Sequence, residues 1–598
     1  MKRHAQLPKP RGSLSRFLGY MAPYWGLFAA GTVAMLAATG AKLALPLILQ
    51  QVIDKAIPAG DMSLMLRYAL SYLGLIAFMA VGTYFQTMLI VRLGLSVVTK
   101  IKEDLFSHLL TLPVSYFDKH QVGELMARVE NDTEKAKNIF SETGVMLISN
   151  VAYFVGVFLV LFSKNPNATG VMLIPLPFLM FAFIFVFDKL RPLYEKARKT
   201  YAKITAVATE FVQGIEVLQA FNRTEHASRR LEEASKEKRD VEIKAGLVEY
   251  SFMGVLRFMA GTLFLVLIIR LIAPGIFQGA LTVGALLVFI EYGMTLFEPL
   301  FSIGENIRGI QQARVALGRV FGIMDELPEP KGSGASPSFS QEIEFRNVSF
   351  SYKDGEPVLD NVSFTVKKGQ TLALVGASGS GKTTTVSLLC RFYPIGSGTI
   401  LVDGRDLTEI DLHAWRRTIG LVLQDVYLFP GTILENVRVY DDAIHEPDVF
   451  AALKTVHAAD FVRRLPNDVR TSLHERGSNL SMGEKQLLSF ARAVAFDADI
   501  VIMDEATASV DVATERRIQE SMADMLKGRT AIIVAHRLSS ILKADKILFF
   551  KDGRIIAQGT HEELLSSLPE YGELVRLQFP DLDAERTADG AQTAETVA

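Results

Sequence analysis

Leu372-Ala373-Leu374-Val375-Gly376-Ala377-Ser378-Gly379-Ser380-Gly381-Lys382-Thr383 decides how half of this chain is read. The first four residues form an apolar run suited to a buried strand, and the rest fits G-x-x-x-x-G-K-[ST] in a strand-loop-helix setting. Glycines let backbone amides turn inward around phosphate oxygens, and the helix that follows offers its positive end. Lys382 supplies charge for the β- and γ-phosphates, and the Thr383 hydroxyl suits Mg²⁺. The candidate phosphate-binding residues are therefore Gly376, Ser378, Gly379, Gly381, Lys382, Thr383 and Thr384.

Working outward, Ile500-Val501-Ile502-Met503 reads as a second apolar strand and ends in Asp504-Glu505. After a phosphate loop, Asp504 is placed to hold Mg²⁺ through water and Glu505 to orient or deprotonate an attacking water. From Ile343 onward short β-branched runs alternate with helical ones, which predicts an α/β domain with a largely parallel core. A Pro-, Gly- and Ser-rich stretch, Pro328 to Ser340, precedes it, and a polar, aromatic-free tail, Asp581 to Ala598, is expected to be disordered.

The first half has a different texture. Apolar stretches at about 26–49, 68–91, 143–163, 169–187, 250–273 and 279–302 are each about long enough to span a bilayer as a helix. The segment 188–249 holds thirteen Lys or Arg, whereas the opposite connections 164–168 and 274–278 hold only Lys164. The positive-inside rule then puts the charged segments, both termini and the α/β domain in the cytosol. Lys2, Arg3, Lys9, Arg11 and Arg16 are followed by no signal-peptide cleavage pattern, and they read as a retained cytosolic flank. The two long charged connections, about 92–142 and 188–249, are helical in pattern, with turn-arounds at Tyr116-Phe117-Asp118-Lys119-His120 and Gln213-Gly214-Ile215-Glu216.

Composition agrees: 598 residues exceed one core, 49% are hydrophobic and mean hydropathy is +0.25, so part of the chain belongs in lipid. A net charge of -2 gives no basic field for nucleic acid. Cys390 stands alone, which excludes an intrachain disulfide, and no Cys/His cluster suggests a structural metal.

With these motifs in order, the chain resembles an ATP-binding cassette (ABC) half-transporter of the exporter fold over nearly its whole length. The resemblance implies a type IV exporter-like architecture: a six-span membrane domain over 1–325, a linker at 326–340, a P-loop ATPase domain over 341–580 and a tail at 581–598. It carries over Tyr352 as the aromatic on adenine and Gln424 as the glutamine linking γ-phosphate and Mg²⁺ to the membrane domain. Asn479-Leu480-Ser481-Met482-Gly483-Glu484-Lys485-Gln486 matches the signature, with Ser481 and Gly483 facing the partner's nucleotide. Ser509-Val510-Asp511 matches the D-loop and His536 the γ-phosphate histidine. ATP and Mg²⁺ are the implied cofactors, and the expected activity is ATP hydrolysis coupled to export of drug-like, lipid or peptide compounds across the cytoplasmic (inner) membrane by a half-transporter. Import of iron chelates on the same fold, or an ATP-gated channel or regulator, are the rival readings. The regions around Phe117 and Ile215 correspond to the family's coupling helices.

Two features depart from the pattern or add to it. Met482 and Glu484 replace a glycine and the glutamine of the usual LSGGQ, while Lys382, Gln424, Asp504, Glu505 and His536 are all present. A carboxylate near a triphosphate weakens that composite site by like-charge repulsion, and a complete hydrolytic set beside an altered signature resembles the asymmetric heterodimeric members of the family, which implies pairing with an orthodox half rather than a homodimer. Glu291, Glu298 and Glu305 recur every seven residues on nearly one face of the last apolar stretch. They either line a cavity for cationic or polar substrates, or Glu291 and Glu298 pair with Arg257 on the neighbouring helix.

Overall fold

The computed structural model of the chain describes residues 12–139, 144–278, 281–295, 298–332, 334, 339–353, 355–504, 512–535 and 541–578. Contacts divide the chain into two units, Met1–Leu110 with Gln121–Glu326, and Thr111–His120 with Leu327–Ala598.

The first unit is helical. Its main elements are α1 Ser13–Met21, α2 Trp25–Gln51, α3 Met62–Leu109, α4 Val145–Lys164, α5 Pro175–Gln213, α6 Thr224–Phe277, α7 Val283–Thr295 and α8 Glu298–Met324. Asp61 starts α3 by accepting hydrogen bonds from the Ser63 and Leu64 amides, and Asn165 caps the helix Pro166–Leu173 that leads into α5. Among the described residues four helical stretches are long and apolar enough to cross a membrane: Ser13–Ala59, Met62–Leu109, Met146–Lys164 and Pro166–Gln213. The fifth and sixth apolar stretches of the sequence fall on shorter apolar pieces, Phe264–Phe277 within α6 and Val283–Thr295. Leu70, Leu73, Phe78 and Val81 of α3 stay exposed, as a helix in an apolar solvent permits. The core of this unit joins Tyr153, Val157 and Leu161 of α4 to Phe264, Ile268 and Ile272 of α6 and to Val288, Phe289 and Tyr292 of α7.

A polar fastening holds the far end of α8. Asp132 is buried and accepts two hydrogen bonds from the Arg319 guanidinium, at 2.6 and 2.7 Å, with Lys135 at 3.3 Å. Arg16 of α1 reaches Asp325 at 2.6 Å and lies over the Phe321 ring, 4.5 Å from its centroid. The hydrogen bonds from Arg319 are the chief cause that holds the Asp132 carboxyl below its usual range. Its stabilisation is therefore whole above the unfolded pKa and fades as pH falls through the lower native value. Asp132→Asn is expected to destabilise the chain by about 1–2 kcal/mol near pH 7, reduced because Arg319 stays partly in water. Thermal unfolding across pH should show the gap to wild type closing below about pH 4.

The second unit is an α/β domain built on ten strands: β1 Glu342–Phe350, β2 Leu359–Lys367, β3 Thr371–Gly376, β4 Ser397–Val402, β5 Arg405–Asp406, β6 Ile419–Val422, β7 Ile500–Asp504, β8 Thr530–Val534, β9 Lys546–Lys551 and β10 Arg554–Gly559, with a two-residue pair at 431–432 and 472–473. The antiparallel sheet runs β2-β1-β4-β5, and the main sheet runs β10-β9-β3-β8-β7-β6, parallel except at β10. Apolar residues are continuous along β3, β7 and β8 because both faces are covered. Ala373, Val375, Val501, Met503, Ala531 and Ile533 enter one core, and Leu372, Leu374, Ile500, Ile502, Ile532 and Val534 enter the other. Trp415 is buried in the second core and donates its indole N–H to the Leu389 carbonyl at 2.8 Å. Cys390 is buried there too, and burial pushes its thiol up to about 12, as befits an inert packing residue.

Candidate active site

The chemistry gathers at the carboxyl ends of the parallel strands. β3 leaves the sheet at Gly376, and α9, Lys382–Leu389, begins six residues later, with Gly381 as its N-cap. Gly376 and Gly381 have φ of +155° and +104°. A Cβ on Gly376 would fall 2.3 Å from the Phe550 carbonyl, and one on Gly381 would fall 2.5 Å from the Leu359 side chain. No larger residue fits either position, so the glycines of the motif are dictated by space as well as by backbone angle.

Inside the loop the Lys382 ammonium is buried and donates to the Gly376 carbonyl at 2.7 Å and the Ala377 carbonyl at 2.8 Å. Burial lowers its pKa from the ordinary lysine value. The buried Ser380 hydroxyl has no hydrogen-bond partner among the described residues. An orphaned donor and a desolvated cation in one loop fit a polyanion such as a triphosphate. The Thr383 hydroxyl donates to Asp504 at 3.3 Å, although β8 separates β7 from β3 in the sheet. These oxygens and Gln424 line one cavity of about 620 Å³ with Tyr352, Ser378, Gly379, Gly381, Lys382 and Thr384. The donor set is all oxygen and suits Mg²⁺.

Tyr352 is half exposed at the cavity edge, and its hydroxyl is 3.1 Å from that of Thr384. Tyr393, which sequence reasoning missed, meets the Tyr352 ring edge-on at 5.0 Å and donates its hydroxyl to Asp118. Burial first, and the Asp118 carboxylate second, raise the Tyr393 pKa. Asp118 belongs to the helix Val114–Lys119, the first of the two turn-arounds, which groups with this unit. No sequence signal paired two residues 275 positions apart. The second turn-around becomes the helix Ile215–Ala220 and groups with the first unit.

The altered signature opens α10, Met482–Ala495. Ser481 is its N-cap and closes a capping box with Glu484: the Ser481 amide and hydroxyl both reach the carboxylate at 2.8 Å. Spacing of the S-x-x-E type was the available signal for this role, which the sequence reading passed over. Met482 is exposed, whereas a Cβ on Gly483 would sit 2.3 Å from Thr514 on α11, Val512–Leu526. Glu505, Ser509, Val510, Asp511 and His536 lie outside the described residues, as does the tail from 579.

Two family models match the chain, the ABC transporter transmembrane region over residues 28–300 and the ABC transporter over residues 359–508. The uncharacterized ABC transporter ATP-binding protein YfiC of Bacillus subtilis is 32% identical over 585 residues, covering 97% of this chain and 96% of the relative. The chain belongs to the ABC transporter family. Other members with which it aligns are the probable multidrug resistance ABC transporter ATP-binding/permease protein YheH of Bacillus subtilis, 35% identical over 85% of this chain and 76% of its own length, and the ATP-dependent lipid A-core flippase of Salmonella typhimurium, 30% identical over 93% and 95%. This ABC transporter is thus a membrane protein that fuses an exporter-type transmembrane region to an ATP-binding domain in one chain. Its match to the membrane region runs from within α2 through α7, and its second match includes the cavity residues from Ser378 to Asp504.

Proposed function

We propose that the chain is one half of an ATP-driven primary exporter in the cytoplasmic membrane, with both termini and the ATPase domain in the cytosol. The observation that carries this is the loop in which Lys382, held by two of the loop's own carbonyls, shares a cavity with the Thr383–Asp504 pair, fused to membrane-length apolar helices. ATP in that cavity gives its triphosphate to the loop amides, Lys382 and Ser380, while Tyr352 covers the base. Thr383, Gln424 and Asp504 hold Mg²⁺, which when bound screens the charge on the β- and γ-phosphates. Glu505 orients and deprotonates water, whose oxygen attacks the γ-phosphorus as the bond to the bridging oxygen breaks, and His536 steadies the γ-phosphate.

Two facing cassettes close on ATP because Ser481 and Gly483 of one half meet the nucleotide of the other, and phosphate loss removes that contact. Gln424 and the helices around Phe117 and Ile215 relay closure to the membrane helices. The Asp118–Tyr393–Tyr352 chain supports a relay of this kind at the adenine end. Glu484 in place of glutamine favours pairing with a different, orthodox half. Relatives named for multidrug resistance and for lipid A-core flipping support an amphipathic, drug-like or lipid cargo rather than a peptide.

Reconstitution tests the whole reading. The chain, purified with whatever partner co-isolates and placed in liposomes, is expected to hydrolyse Mg-ATP and to move amphiphiles in an ATP-dependent manner. A stable dimer of the chain alone with ordinary turnover would remove the heterodimer, and ATP hydrolysis without any vectorial movement would remove the transporter.

A further inference from the structure

Lys42 is an ammonium in the wrong solvent. It sits in α2 about nine residues, or ~14 Å of helix, from Gln51, inside a stretch whose mean hydropathy reaches 1.7. Among the described residues no carboxylate lies within ion-pair distance of it. Gly31, Met35 and Ala38 share its face of α2 at helical spacing and are buried against the unit, yet Lys42 is exposed. It therefore extends the packed side of the helix rather than the side turned away from the unit.

Its neighbours are polar and aromatic. The Lys42 ammonium lies 4.4 Å from the Tyr153 ring centroid on α4, and the Tyr153 hydroxyl is 3.0 Å from the Thr295 hydroxyl on α7. Tyr292 donates to the Leu43 carbonyl, which holds α7 against α2 beside the lysine. Glu291 is one turn from Thr295 and exposed. A membrane-embedded cation with an aromatic on one side and an open side on the other faces a water-filled path or a ligand.

We propose that the Lys42 ammonium, over a Tyr153 ring fixed by its hydroxyl pairing with Thr295, forms a subsite for the anionic head group of an amphiphile, a phosphate or carboxylate on an apolar tail, along the translocation path. This deepens the transport reading and rests on it. A planar aromatic under the ammonium leaves the N–H donors turned away from the ring for oxygen acceptors, and an apolar body lets a ligand reach them through surroundings this greasy.

The test uses the full chain with its co-isolating partner in phosphatidylcholine nanodiscs and two probes with the same tail, dodecyl phosphate and dodecyltrimethylammonium. Binding is read by isothermal titration calorimetry and coupling by ATPase stimulation. Dodecyl phosphate is expected to bind the wild type and Lys42→Arg alike, and about tenfold or more weaker to Lys42→Gln, with dodecyltrimethylammonium unaffected. Absence of dodecyl phosphate binding to the wild type, equal binding to Lys42→Gln, or a loss of assembly in Lys42→Gln that marks the ammonium as a protein contact would each overturn the proposal. Lys42-dependent binding in a complex that hydrolyses no ATP would support the subsite and sink the transport reading instead.

Discussion

Glu505→Gln is expected to bind Mg-ATP with near wild-type affinity while hydrolysis falls by about two to four orders of magnitude, the range lost with a general base. The amide keeps the shape of the carboxylate and can still orient water, but it cannot take the proton. The complex should then accumulate with nucleotide retained between closed cassettes, since phosphate loss is what releases them. Steady-state ATPase and retention of labelled ATP after rapid gel filtration report the two halves of this result. Unchanged turnover would move the base elsewhere. Asp504 lies at the end of β7 and bonds Thr383, and Glu505 is the next residue of the sequence.

The second large effect is on binding. Lys382→Ala removes the one cation buried among the loop residues and strands the Gly376 and Ala377 carbonyls it now satisfies. Leaving such acceptors unpaired costs about 1–3 kcal/mol each where water cannot replace the donor, and the triphosphate loses a desolvated counter-charge besides. ATP affinity is expected to fall by about a hundredfold or more. A thermal shift assay separates this from misfolding: saturating Mg-ATP should stabilise the wild type by about 2–4 kcal/mol and leave the variant unmoved. If the variant still gains stability with Mg-ATP, the loop does not hold the nucleotide through this lysine.

What the sequence revealed and what it hid follow from the reach of each signal. The phosphate loop was legible because its glycines, lysine and threonine are contiguous, and the backbone conformation that needs them is local. The apolar strands were legible because burial on both faces leaves no polar residue to break the run, as in Ile500 to Met503. Tyr393 was hidden, since its partners Asp118 and Tyr352 come from distant positions and a lone tyrosine after a helix carries no pattern. Lys42 was hidden for the opposite reason: one charge does not break an apolar window of this length, so a hydropathy reading absorbs it. Glu484 was read for its charge and not for its spacing from Ser481, and the capping box gives its carboxylate a local role at the start of the helix as well. The question of Glu291 against Arg257 turned on depth alone, and the Arg257, Glu298 and Glu305 side chains lie outside the described residues.

The strand order of the main sheet also bears on how the chain is made. β3 is hydrogen-bonded only to β8 and β9, which are synthesised about 150 residues after it. At about 5–20 residues per second, a ribosome needs ~10–30 s to deliver those partners. Throughout that interval a largely apolar strand has both edges open. Biogenesis therefore demands that something shield this segment until the second half of the cassette arrives.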